Sequence, residues 1–216
     1  MAFEREVFPE VKLKHGVGKS VVFPVSTITN GNVEYRNSRI SRERFKFTIQ
    51  TKNLLQADKE AIRGFFTNRS HALNSFLFQD PDIPSLDDAI LSYHSGSGNS
   101  KWIVALPIDS STPGNHWIYN IGSNGSGSPL TGSPLPTATV NASPETISAF
   151  TIESDGTPTI TVANSDNGDT VRLTAEIYFV VRLDSTLNYV LGALNINNRT
   201  AGVAMNQIVL QEVYEY

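Results

Sequence analysis

Across residues 171–181 apolar side chains recur at every second position: Val171, Leu173, Ala175, Ile177, Phe179 and Val181. Arg172, Thr174 and Glu176 occupy the first gaps between them. A period of two puts alternate side chains on opposite faces of an extended chain. The run therefore predicts a long strand with one buried face and another that begins in water. From Arg42 the pattern returns with sharper contrast, Arg42, Arg44, Lys46, Thr48 and Gln50 alternating with Phe45, Phe47 and Ile49. Aromatic side chains point inward there and cations outward. Two such runs toward opposite ends of the chain point to a mainly β protein.

The punctuation agrees. Pro9 and Pro24 interrupt the extended runs "EREVFPEVKL" and "SVVFPVSTI" and suit edges or bends, because proline donates no ladder hydrogen bond. Asn30-Gly31 signals a hairpin, since both residues tolerate positive φ, and Asn167-Gly168 signals a turn. One helix is expected in "LLQADKEAIRGFFTNR", where Ala61, Ile62, Phe65 and Phe66 recur at helical spacing. Asp58 and Glu60 lie early and Arg63 and Arg69 late, as the helix dipole favours, while Gly64 weakens the element. "LNSFLFQDPDIP" reads as a buried strand, and the terminal "NQIVLQEVYEY" as a strand that must pair with something.

The net charge of −4 is unevenly spread. Residues 1–82 hold 13 Lys and Arg against 9 acids, residues 83–182 hold 3 against 9, and residues 183–216 hold 1 against 3. Between Gly122 and Thr137, 14 of 16 residues are Gly, Ser, Pro, Thr or Asn, a composition that cannot build a core and reads as a long excursion. The expected organisation is a first part at 1–82, an inserted β-rich domain at 83–182, and closing strands at 183–216. The chain contains no cysteine, which removes disulfides and thiol chemistry. Its apolar runs are too short to span a bilayer, and "MAFEREVFPE" lacks the apolar centre of a secretory signal, so cytosolic synthesis without membrane insertion is expected.

The search for chemistry is mostly negative. Gly18-Lys19-Ser20 resembles the end of a phosphate-binding loop, but position 13 is Leu where that loop needs glycine, and "VVFPV" follows where it needs a helix. A glycine turn between strands is the better reading. His15, His71, His94 and His116 show no metal-ligand spacing and read as loop or surface residues, so no metal or other cofactor is expected. Asp87 and Asp88 are adjacent, which on an extended chain directs them to opposite sides. An enzyme is not expected. Trp102 and Trp117, near Tyr93 and Tyr119, offer flat rings for stacking on sugars, although both also fit as core residues of short strands. The stripe Arg42, Arg44 and Lys46 can serve as a protein interface, a nucleic-acid contact or a solvated face. Specific nucleic-acid binding is not expected, since duplex readers carry broader basic patches.

The order of elements carries a resemblance. "MAFEREVFP", then "GVGKSVVFPVSTITNGNVEYRNSRISRERFKF", the helix ending in "FF" and "LNSFLFQDPDI" resemble the distal tail proteins of siphovirus-like phages and gene transfer agents. "TAEIYFVVRLDSTLNYVLG" and "IVLQEVYE" resemble that family's closing strands, so the likeness covers residues 1–90 and 171–215. The glycine cluster and the aromatic residue at position 40 that such proteins often carry are replaced here by "HGVGKS" and Ile40.

This resemblance implies a virion structural protein. Both chain ends would form a belt-type β-barrel or sandwich domain, with the inserted domain projecting from it. Copies would close into a hexameric ring at the tail tip, between the tail tube protein and the tip hub protein, with Arg42, Arg44 and Lys46 at the subunit interface. The alternative is a module that binds a host surface glycan through Trp102 or Trp117.

Overall fold

The computed structural model describes residues 3–9, 17–22, 25–30, 33–38, 44–50, 56–68, 74–122, 135–184, 189–191, 203–205 and 207–213. The chain opens with β1 (Phe3–Val7), β2 (Val17–Val22), β3 (Val25–Asn30), β4 (Val33–Ser38), β5 (Arg44–Gln50), α1 (Gln56–Asn68) and β6 (Ser75–Phe78). It continues with β7 (Ser85–Ile90), β8 (Ser92–Ser95), β9 (Asn99–Ile103), β10 (Ala105–Leu106), β11 (His116–Trp117), β12 (Thr137–Val140) and β13 (Ser143–Glu145). The remaining strands are β14 (Ile147–Ile152), β15 (Pro158–Ala163), β16 (Val171–Glu176), β17 (Phe179–Leu183), β18 (Tyr189–Leu191), β19 (Val203–Met205) and β20 (Gln207–Glu212). The protein is mainly β, with a single helix among the described residues. It divides into two compact units. The first comprises Met1–Phe8, Ser75–Val181 and Tyr214–Tyr216, the second Pro9–Asn74 and Arg182–Val213.

The first unit contains two four-stranded sheets, ordered β13-β12-β16-β7 and β14-β15-β9-β8, all of whose neighbours are antiparallel. Their arrangement is sandwich-like. Of the barrel or sandwich expected, no sheet among the described residues is closed into a barrel: each ends on two edge strands, and closure requires the first and last to pair. Trp102, Ile160, Val162, Val171 and Leu173 supply buried side chains from the two sheets.

The run 171–181 is not one strand. It leaves its first sheet after Glu176; Ile177 N–H then donates to Pro84 O and Tyr178 N–H to Asn120 O, at 3.1 Å each. β17 next pairs antiparallel with β6, Phe179 opposite Phe78 and Val181 opposite Phe76. From Ile177 onward "IYFVV" is buried on both faces, as are all four residues of β6. Alternation therefore identifies β16, while the continuous apolar run marks the doubly covered β17.

Two local features depart from regular strands. Opposite β16 the register slips, Leu173 facing Ala89 but Ala175 facing Leu86, so Asp87 and Asp88 form a bulge. Asp88 sits at φ 50° and both carboxylates are exposed, which corrects the expectation that they point to opposite sides. The β12–β13 hairpin turns through Asn141 and Ala142, at φ 51° and 68°, with Val140 opposite Ser143. A two-residue turn with both φ positive suits Asn-Gly, and alanine is strained at its second position. Ala142→Gly is expected to raise the stability of this unit by about 0.5–1 kcal/mol, the left-handed penalty outweighing glycine's extra entropy in the unfolded chain. Chemical denaturation followed by tryptophan fluorescence checks this, because both tryptophans lie in this unit.

In the second unit β5 lies between β2 and β20, antiparallel to both. β3 and β4 form the hairpin expected near Asn30-Gly31, with Asn30 opposite Val33. Helix α1 buries Ile62, Phe65 and Phe66, while Ala61 is exposed. Asp58 lies in its first turn, its last turn carries no basic residue, and Arg69 is outside the described residues. A Cβ added at Gly64 meets nothing within 4 Å. Gly64→Ala is accordingly expected to stabilise the helix by about 0.8–1 kcal/mol, read as a higher denaturation midpoint in far-ultraviolet circular dichroism.

Candidate functional site

The alternation of β5 sorts its side chains cleanly. Phe45, Phe47 and Ile49 are buried, and Arg44, Lys46 and Thr48 are half-buried on the opposite face. Cross-strand register extends the polar face into a row, Ser20 and Gln211 lying opposite Lys46 on either side. Lys46 Nζ reaches Asp184 Oδ2 at 2.7 Å, with 37% and 32% of the two side chains exposed. A pair this wet contributes about 1 kcal/mol at most, so its role is to set the position and direction of charge rather than to hold the unit together. Arg44 shares the face with Lys46, whereas Arg42 lies outside the described residues.

Gly18, Lys19 and Ser20 lie within β2, paired with Thr48, Phe47 and Lys46 respectively. The expected glycine turn is corrected: the segment is strand. The register puts Lys19 on the aromatic face, and its Nζ stands 4.1 Å from the centroid of the Phe45 ring. Cation–π attraction thus engages the lysine of the segment that resembles a phosphate loop. Val21, on the same face, is 46% exposed.

Sequence reasoning missed Glu212. The residue is 2% exposed, on the face that also carries Ile208 and Leu210, and its Oε2 accepts a 2.8 Å hydrogen bond from the Phe45 N–H. Main-chain pairing between β20 and β5 extends to Gln211 opposite Lys46, and the Glu212 side chain takes up the next β5 donor. The signal was available: in "QIVLQE" an acid stands in phase with two aliphatic residues, which a strand tolerates only when that acid is hydrogen-bonded.

The first unit separates the two tryptophans. Trp102 is 2% exposed; its Nε1–H donates to Ser165 Oγ at 3.0 Å, and Tyr93 meets its ring edge-on at 5.5 Å. Neither face of this indole is open to a sugar, so Trp102 is corrected from a candidate glycan contact to a core residue. Trp117 is half-buried on β11, 6.5 Å from the ring of Tyr119. His116 is buried beside Phe179, at 6.0 Å between rings, which corrects its reading as a surface residue. His94 is half-buried on β8, while His15 and His71 lie outside the described residues.

Polar side chains in this unit are tied to one another. Lys101 Nζ donates to both Glu153 oxygens, at 2.8 and 3.0 Å, and the Thr159 hydroxyl donates to Oε1 at 2.8 Å. The lysine hydrogen bond, then the threonine hydroxyl, hold the Glu153 carboxyl below the usual carboxylate range. Hydrogen bonds from Ser111 and Thr112 do the same for Asp109. Among the described residues no three His, Asp or Glu side chains gather to hold a metal ion, and no helix is long and apolar enough to cross a membrane.

No protein-family model matches the chain, and no curated protein matches its sequence.

Proposed function

We propose that this protein is a structural component of a phage-type tail, closing with further copies of itself into a ring between tail tube and tip hub, without catalysis. One observation carries the reading. Two segments distant in sequence, Pro9–Asn74 and Arg182–Val213, make one compact unit, and the residues between them, together with Met1–Phe8 and Tyr214–Tyr216, make another. A discontinuous unit interrupted in sequence by a second one supports a belt with an insert, while β1 and β6, expected in the belt, group with the intervening residues. The polar row of β5 supports the reading at residue level. A closed ring needs a different patch on each side of the subunit, and ordered charge fixes register in such contacts more than it adds affinity.

Native mass spectrometry with negative-stain imaging tests the proposal, and closed hexameric rings are the expected result. Lys46→Glu is expected to abolish them. Because it also breaks the pair with Asp184, the exchange Lys46→Glu with Asp184→Lys restores the internal pair with its direction reversed. Rings that survive the single substitution remove this face from the interface. Rings lost in the single variant but regained in the exchange show that the internal pair matters, not the outward charge.

The alternative, a glycan-binding module, now rests on the half-buried Trp117 alone, because Tyr119, its ring tilted by 55° to the indole, is buried. A chain that stays monomeric with and without tube protein, yet binds a glycan array in a manner lost in Trp117→Ala, favours it.

A further inference from the structure

We propose that Asn167 is a site of spontaneous covalent modification, passing through a cyclic imide to aspartate and isoaspartate while the chain is folded. Asn167 and Gly168 are exposed at the turn between β15 and β16. Gly168 has φ 105°, nothing lies within 4 Å of where its Cβ would stand, and among the described residues its N–H makes no main-chain hydrogen bond. Among the described residues the Asn167 side chain makes no hydrogen bond and is free to turn toward that nitrogen.

Other asparagines in this unit are held. Asn141 Nδ2 donates to Asp169 Oδ1 at 2.7 Å while its Oδ1 accepts from Thr170 N–H at 3.0 Å. Asn164 Nδ2 donates to Glu145 Oε2 at 2.9 Å, and a serine follows it. Asn120 is 3% exposed.

The reaction consumes only water. The Gly168 nitrogen, losing its proton, bonds to Asn167 Cγ; the bond from Cγ to the side-chain nitrogen breaks, and ammonia leaves carrying that proton. Water then opens the five-membered imide at either carbonyl. One opening restores the ordinary main chain with aspartate at 167, and the other routes the main chain through the former side chain.

The turn is clamped close to this point. Asp166 N–H donates to Asp169 Oδ2 at 2.7 Å, Asp169 N–H donates to Asp166 O at 3.1 Å, and Gly98 N–H donates to Asp166 Oδ1 at 2.6 Å. Isoaspartate adds one carbon to the main chain between these anchors. Modified molecules therefore lose the spacing that lets the Gly98 and Asn141 turns hold the same loop.

Incubating the intact protein in warm, mildly alkaline buffer and mapping its peptides by mass spectrometry tests the proposal. The peptide containing Asn167 is expected to gain about 1 Da, split into two chromatographic forms, and convert at least about tenfold faster than Asn141 or Asn164, whose side chains are held away from the attacking nitrogen. Asn167→Ser is expected to abolish both new forms at that peptide. The mapping separates this site from Asn30-Gly31 and Asn124-Gly125, which share the residue pair. If residue 167 stays unchanged in the folded chain while the excised peptide converts, the turn protects it and the proposal fails. Conversion only after denaturant is added overturns it equally.

Discussion

Replacing Trp102 by alanine is expected to lower the stability of the first unit by about 3–5 kcal/mol, the range for emptying a large buried aromatic site. The side chain is 2% exposed and joins two packing interactions, its edge-on contact with Tyr93 at 5.5 Å and its Nε1–H bond to Ser165. A domain has only about 5–15 kcal/mol in hand, so the loss removes a large share of it. Trp102→Phe is expected to cost less, because most of the volume stays. Ser165 also remains satisfied: its hydroxyl donates to Val162 O at 2.8 Å and accepts from Ser100 N–H at 3.3 Å. Urea denaturation followed through Trp117 fluorescence measures both variants. The result also bears on the glycan reading, since a surface platform truncated to alanine would change stability by roughly 0.5 kcal/mol or less. A change that small would mean Trp102 does not occupy the core.

The second large effect belongs to Glu212. Glu212→Ala leaves the Phe45 N–H without the carboxylate 2.8 Å away and opens a gap in a buried face of β20. An unsatisfied buried donor plus lost volume is expected to destabilise the second unit by about 2–4 kcal/mol. Glu212→Gln retains an acceptor oxygen of similar reach and is expected to recover much of the loss. The helical circular dichroism signal of α1 reports this unit during thermal or urea unfolding. If Gln and Ala cost the same, the hydrogen bond to Phe45 is not what holds the carboxylate in place, and its burial needs another cause.

These two residues mark where sequence reading succeeds and where it stops. Trp102 stands in "KWIVALPI", a segment compatible with both a core strand and an exposed ring, and nothing local decides between them. Ser165, the partner of its indole nitrogen, is 63 residues away in sequence. Glu212 is similar. Its phase with Ile208 and Leu210 was legible, but its acceptor role depends on Phe45, at a separation of 167 residues.

Alternation by itself determined a good deal: which faces of β5 and β16 are buried, that the chain is mainly β, and where its helix lies. Those properties follow from local geometry, because side-chain direction along a strand or helix depends only on neighbouring dihedrals. Tertiary structure alone decided that 171–181 divides between two sheets, that Gly18-Lys19-Ser20 is strand rather than turn, that Asp87 and Asp88 share a bulge, and that Lys46 is paired with Asp184. Each of these depends on register between strands distant in sequence. A shift of one residue exchanges the faces of a whole strand, and what selects the register is the packing of both partners together rather than either segment alone.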